Sequence, residues 1–166
     1  MATGYVYLHP NAGIAPSDNP ALWARADIGN YDWGVIQYTD NATDENYDWS
    51  LAVPGDWASG GTLTLYWRVN SATTNACRWS VQCISLGDTE ASNAAFNTED
   101  VANYANGAAT ANIVNIDTLT LTNGITGWAA SEMLEIRIRR DSANAGDTLT
   151  AVTVELLLAV LSYTTT

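Results

Sequence analysis

His9 is the only histidine in the chain, so a nucleophile activated by an imidazole base has one place to be. That histidine sits beside Pro10, in a stretch with no periodic element to hold it, whereas catalytic groups need rigid support. A histidine triad is not expected. Asp44 with Glu45, and Glu99 with Asp100, are the carboxylate pairs a glycosidase would use, but nothing in their spacing fixes the separation that such chemistry requires. No catalytic residue is assigned on these grounds. Cys77 and Cys83 lie in the alternating run ACRWSVQC, which would set their Cα atoms ~20 Å apart along a strand. That is too far for a disulfide. With Trp79 and Val81 they form one face and are expected as buried free thiols.

Hard oxygen ligands gather in DNATDEN, residues 40–46. Asp40, Asp44 and Glu45, with Asn46, are the residue types calcium takes, which makes them a weak calcium candidate. The segment lacks the length and ligand order of an EF-hand, and turns select the same residues for local backbone bonding, so the turn reading is preferred. DSANAGDT, residues 141–148, is read the same way, and no cofactor is expected.

Seven tryptophans and eight tyrosines raise a different chemistry, because exposed rings beside acidic groups hold sugars by stacking. Trp23, Tyr31, Trp57 and Trp128 lie in or beside expected loops and are the candidates. Large rings also fill sandwich cores and subunit contacts, and ring count does not choose between the two. Asn-Tyr-Asp-Trp occurs twice, from Asn30 and from Asn46. The second copy runs on through Leu51 and Val53 as one apolar face, which sends Tyr47 and Trp49 into the core; the first copy, with Tyr31 and Trp33, has no such continuation.

The elements that must position these groups are strands. WGVIQYT, YDWSLAV, TLTLYWRV, CRWSVQCIS, a stretch from Ala111 to Leu121, MLEIRIRR and LTAVTVELLLAVLSY are rich in β-branched and aromatic residues, predicting seven or eight strands from residue 33 on. A change of apolar parity between Ile116 and Leu119 suggests a bulge near Asp117 or two short strands. Residues 88–96, DTEASNAAF, are the one helical stretch, capped by Asp88 or Thr89. Many short strands without βα alternation give an all-β fold, an antiparallel β-sandwich of jelly-roll type with about eight strands, with an immunoglobulin-like topology as the alternative.

Residues 1–30 hold three of the four prolines, Pro10, Pro16 and Pro20, and read as an extended N-terminal arm before a sandwich domain at 31–166. The arm lies along its own domain or, the placement favoured here, docks on a neighbouring subunit through Tyr5, Tyr7, Leu8 and Trp23. In AVTVELLLAVLSY both alternate sets are apolar: Val152, Val154, Leu156, Leu158 and Val160 on one side, Leu157, Ala159, Leu161 and Tyr163 on the other. Leu157, Leu161 and Tyr163 are therefore expected against the arm or another copy, in a closed homo-oligomer such as a trimer.

Charge excludes some partners. Eighteen acidic residues face six basic ones, for a formal net charge of −12, which repels nucleic acid and anionic membrane alike. The start MATGYVYLHP has neither the basic nor the apolar region of a secretory signal, and no apolar run reaches the ~18 residues of a membrane span, so synthesis in the cytoplasm is expected.

From Tyr47 to Asp88 the order is Val53-Pro54, Asp56-Trp57, Gly60-Gly61, the strand Thr62 to Trp67, the turn Ser71 to Thr73, and Trp79. IRIRRDSANAGDTLTAVTVELLLAVLSY follows near the end. This pattern, over roughly residues 36–163, resembles a poorly characterised group of β-sandwich structural proteins of tailed phages and environmental viruses. The resemblance implies a non-enzymatic virion component, such as a capsid decoration or head-fibre protein, assembled in the host cytoplasm with a capsid protein or other virion partner. A carbohydrate- or receptor-binding module of a phage tail appendage is the alternative. It transfers no catalytic residue: Gly60 and Gly61 look like a tight connection, Pro54 like a strand end, and Arg140 with Asp141 and Asp147 like a tie on the last loop.

Overall fold

Apolar residues alternate along nearly every β-run, and the chain folds so that those alternate residues share one interior. A computed structural model describes residues 1–27, 29, 32–39, 43–107, 109–150 and 152–166. Its strands are β1 (Thr3–Leu8), β2 (Leu22–Asp27), β3 (Asp32–Tyr38), β4 (Glu45–Ala52), β5 (Trp57–Val69), β6 (Ala76–Leu86), β7 (Asp100–Ala105), β8 (Asn115–Thr120), β9 (Met133–Arg140) and β10 (Val154–Thr165). They form two antiparallel sheets packed as a β-sandwich. Sheet A runs β2-β3-β10-β5-β8 with β1 also paired to β10, and sheet B runs β4-β9-β6-β7. The expected all-β sandwich is therefore the fold, with eight strands from β3 onward and two more from the N-terminal segment.

Leu63, Leu65, Trp67 and Val69 of β5 face Cys77, Trp79, Val81 and Cys83 of β6 across the interior, all fully buried. The Trp79 ring meets Trp67 at 6.1 Å and Tyr38 edge-on at 5.2 Å, and the Tyr38 hydroxyl donates to the Ile138 carbonyl at 3.1 Å, joining the sheets. Such ring pairs contribute about 0.5–1.5 kcal/mol each beyond their area. Both cysteines are free and buried as expected. Burial pushes the Cys83 thiol well above its ordinary value, with the Asp100 charge adding to the shift.

Three local expectations are corrected. Residues 88–96 form no helix: Asp88 to Ala95 are all exposed, with only isolated turn bonds such as Ala94 N to Ala91 O at 3.0 Å. A short polar segment with no apolar stripe to bury gains nothing from tertiary contact. No bulge interrupts β8, which pairs with β5 in continuous register from Thr62↔Thr120 to Trp67↔Asn115. Its parity change arises because Ile116 points outward, 61% exposed, while Leu119 points in.

The bulge lies in β10 instead, between Leu156 and Leu158 in the pairing with β5. It inserts Leu157 and switches which set of side chains faces inward. Val154 and Leu156 are buried before it, and Ala159, Leu161 and Tyr163 after it. Most of the two apolar sets are thus used in turn by one core, and only Leu157, Leu158 and Val160 are left for the other side.

The N-terminal segment belongs to the same sandwich. β1 pairs with β10 from Thr3↔Thr164 to Leu8↔Ala159, and β2 pairs with β3 from Leu22↔Gln37 to Asp27↔Asp32. Between them the chain crosses to sheet B and bridges the outer edge of β4 at Ile14↔Asp48 and Pro20↔Asn46. Of the two placements considered for the arm, it takes the one along its own domain.

Candidate functional site

Strand β10 has one partner, β5, along one edge and two partners in succession along the other. β3 holds the edge at Val154 to Leu156, and β1 takes it from Ala159 to Thr164. Between those partners the edge forks at the bulge. A cleft of about 420 Å³ opens there, lined by His9, Pro10, Asn11, Trp23, Arg25, Asp32, Trp33, Gly34 and Leu157.

Each wall is built by local sequence. On one side the chain leaves β1 and enters a 3-10 turn at Pro10–Ala12, with Pro10 at a position where its missing N–H costs nothing. Sheet B's core rings fix this turn from behind. Trp49 Nε1 donates to the His9 carbonyl at 2.9 Å, and the Tyr47 hydroxyl lies 3.2 and 3.1 Å from the carbonyl oxygens of Pro10 and Gly13. Tyr47 and Trp49, 4% and 2% exposed, thus enter the core as the second Asn-Tyr-Asp-Trp copy predicts.

The other wall is the β2–β3 hairpin. Arg25 pairs with Gly34 and Ala26 with Trp33 across it. Trp23 is 49% exposed, and its indole lies beside Gly34 of the paired strand. Arg25 donates to Asp32 across the hairpin in a solvent-facing ion pair.

A second hollow of about 260 Å³ shares Trp33 and Leu157 with the cleft and adds Tyr66, Val114 and Leu158. It lies over the outward face of sheet A. Tyr5 and Tyr7, each 58% exposed, continue that face along β1, and the Tyr7 ring stacks on His9 at 6.3 Å.

Chemically, the cleft offers two indole faces, one guanidinium–carboxylate pair, an imidazole and a carboxamide. Its one carboxylate, Asp32, is engaged by Arg25, and among the described residues no second carboxylate lines the cleft, so the paired carboxylates of a glycosidase are not assembled there. Apolar ring faces with a few convergent polar groups are instead the makings of a binding site.

Of the four tryptophan and tyrosine candidates, Trp23 is in this cleft. Trp57 and Trp128 correct the expectation for them. Their rings pack on each other at 5.9 Å, Trp128 is 6% exposed, and Trp57 Nε1 donates to the Gly60 carbonyl at 2.9 Å, so they close the end of the core instead of offering platforms. Tyr31 lies outside the described residues. Sequence reasoning missed Trp33, Leu157 as a cleft residue, and Tyr66. Trp33's failure to continue an apolar face was the available signal.

Among the residues put forward for subunit contact, Leu8, Leu161 and Tyr163 are buried within the chain itself, which corrects that expectation for them. Tyr5, Tyr7 and Trp23 are exposed, and Leu157 is half-buried.

Of the calcium candidates, Asp40 lies outside the described residues. Asp44 faces Arg139 at 3.4 Å and accepts from the Ala143 N–H, and Glu45 accepts from the Thr39 hydroxyl at 2.8 Å. Among the described residues no group of three or more His, Cys, Asp or Glu is placed to hold a metal. The last-loop tie forms through Asp147: Arg140, fully buried, donates to both Asp147 oxygens at 2.9 Å and to the Leu149 carbonyl, while Asp141 pairs with Arg78.

No protein-family model and no curated protein matches the chain. Solved structures do. The K1 cleaved adhesin domain of Lys-gingipain from Porphyromonas gingivalis W83 superposes with a TM-score of 0.51 at 15% identity, over 95% of this chain and 97% of that one. The isomalto-dextranase of Arthrobacter globiformis T6, complexed with panose, gives 0.51 at 16% identity over 96% of this chain but only 23% of the enzyme. A family 29 carbohydrate-binding module from Piromyces equi gives 0.42 at 10% identity, over 99% and 93%. At such identities the likeness is one of fold.

Proposed function

We propose that the chain is a non-catalytic carbohydrate-binding module whose ligand sits in the cleft at the fork of β10. One observation carries this reading. In a sandwich that buries Trp49, Trp67, Trp79 and Trp128, Trp23 is left half exposed in a cleft it shares with Trp33 and the Arg25–Asp32 pair. Here the exposed aromatic surface is flanked by donors and acceptors matched to sugar hydroxyls, the combination a ligand site uses. The fold also serves as an adhesin domain in Lys-gingipain and as part of an enzyme complexed with panose, which is compatible with this use.

Glycan-array screening followed by calorimetry tests the reading. A half-exposed indole at the centre of a binding site behaves as a hot spot worth about 2 kcal/mol or more, so Trp23→Ala should weaken binding roughly 30-fold or more while leaving the melting temperature nearly unchanged. An array without hits, or a Trp23→Ala variant that binds as the parent does, would falsify it.

A second reading is a structural component of a virus particle that contacts other copies, in a closed homo-oligomer such as a trimer, or a capsid protein. The exposed Tyr5 and Tyr7 on β1 favour it, as does the resemblance at Val53 to Trp79. Co-sedimentation with a particle that is lost in a Tyr5→Ala, Tyr7→Ala double variant, but kept in Trp23→Ala, selects this reading over the first.

A further inference from the structure

We infer that the ligand is an extended, neutral oligosaccharide whose successive units occupy first the cleft and then the hollow over sheet A, with Tyr66 as a second stacking platform. This rests on the carbohydrate-binding reading and adds the ligand's length and charge.

Length follows from continuity. Trp33 and Leu157 line both spaces, so the cleft of about 420 Å³ and the hollow of about 260 Å³ adjoin across these two side chains, within reach of neighbouring units of one chain. The bulge contributes to both spaces, since Leu157 lines each and Leu158 lines the hollow. A single sugar in the cleft would leave the Tyr66 ring and the apolar side chains of Val114 and Leu158 facing water. The next unit of a chain, laying its C–H face on Tyr66, covers them.

Neutrality follows from charge. The protein carries a net −12, and the single arginine of the cleft, Arg25, is already matched by Asp32. The hollow is lined by no charged residue at all. A uronate or sulfated chain would meet a repelling field, with no unpaired arginine in the lining to receive it. Sheet B cannot supply one, because Arg137 and Arg139 on its outward face are engaged by Asp48 and by Glu99 with Asp44.

Calorimetric titration with neutral gluco-, galacto- and xylo-oligosaccharides, each from monosaccharide to hexasaccharide, decides the matter. In the series that binds, affinity should climb about tenfold or more between monosaccharide and tetrasaccharide and then level off. Tyr66→Ala should flatten the climb from monosaccharide to tetrasaccharide, whereas Trp23→Ala should weaken every length. Val114→Asp, at a residue 38% exposed, repeats the test of the hollow without touching a strand. A monosaccharide bound as tightly as the hexasaccharide overturns the extended site while leaving the cleft reading intact. An oligogalacturonide bound more tightly than its neutral counterpart overturns neutrality. If no length of any series binds, both this inference and the reading beneath it fall.

Discussion

The two outward faces of the sandwich are built on opposite principles. Sheet B presents ionic groups that satisfy one another. Arg137 clamps Asp48 with two 2.8 Å bonds while lying over the Phe96 ring at 4.6 Å, Arg139 reaches Glu99 and Asp44, and Arg78 pairs with Asp141. Sheet A presents rings and small hydroxyls: Tyr5, Tyr7, Tyr66, Thr62, Thr64, Thr118 and Thr120, with Leu158 and Ile116 between them. Besides the exposed Arg25–Asp32 pair of the β2–β3 hairpin it holds Arg68–Glu155, which is sunk to 4% exposure on both side chains. A face whose donors and acceptors are mutually consumed has little left to offer a ligand, whereas a face of uncovered rings does. On the carbohydrate-binding reading proposed above, that difference favours sheet A as the face that takes the ligand.

That buried pair gives the largest expected effect. Glu155 accepts from Arg68 Nε at 2.5 Å and from Gln37 at 3.0 Å. Glu155→Ala would strand the arginine in a dry site and should cost about 3–5 kcal/mol in urea unfolding. An Arg68→Met, Glu155→Leu double variant should recover most of it, because two well-packed apolar side chains need no partner. A single-variant loss no larger than that of a sheet B pair would show that the two faces do not differ in dryness.

Next comes the anchoring of β1, which carries Tyr5 and Tyr7. A Cβ at Gly4 would stand 2.2 Å from the Tyr163 ring, and that ring is held by a 2.9 Å bond from its hydroxyl to Asp56. Gly4→Ala should cost about 1–3 kcal/mol through overpacking and raise amide exchange along β1. An unchanged exchange pattern would mean that Tyr163 swings aside freely.

How much of this was legible in the sequence depends on where each residue sits. Alternation in TLTLYWRV and MLEIRIRR determined which side chains of β5 and β9 enter the core, since strand period and burial are the same fact seen twice. The β10 bulge was not legible, because two apolar sets on one strand are equally explained by a partner or by a change of face midway. The cleft was hidden for the same reason: it exists only where β1 and β3 divide one edge of β10, a pairing between residues far apart in sequence. Trp57 and Trp128, both in or beside loops, were misplaced because loop residues also pack on each other at the end of a sandwich.

A smaller effect belongs to sheet B. Asp48→Ala removes the partner of Arg137, but that guanidinium is 24% exposed and water replaces the lost bonds, so about 1 kcal/mol is expected. Hydrogen bonding to Asp48 holds the Arg137 guanidinium above its ordinary pKa, and the substitution removes that cause as well. Oligosaccharide affinity should be unchanged. A variant that folds but binds weakly would place the ligand on the wrong face.

The smallest effect concerns a place where sheet B's self-satisfaction fails, as it also does at Arg139 Nε. Glu45, at the start of β4, bonds Thr39 through Oε1, but its buried Oε2 has no hydrogen-bond partner among the described residues. Burial therefore raises its pKa above the ordinary 4.5, against the lowering effects of Thr39 and the Arg140 charge. The folded chain keeps this proton to higher pH than the unfolded chain does, so the group's contribution to stability is full below about pH 4.5 and is lost as pH rises through the folded pKa. Asp44 next to it, raised chiefly by burial and further by Asp141, against the lowering effects of the Ala143 N–H and Arg139, acts in the same direction. Glu45→Gln, which is neutral throughout, should gain on the parent in urea unfolding at pH 7 relative to pH 4. Equal differences at both values would show that Oε2 is solvated after all, and that sheet B's ionic lattice is closed to its edge.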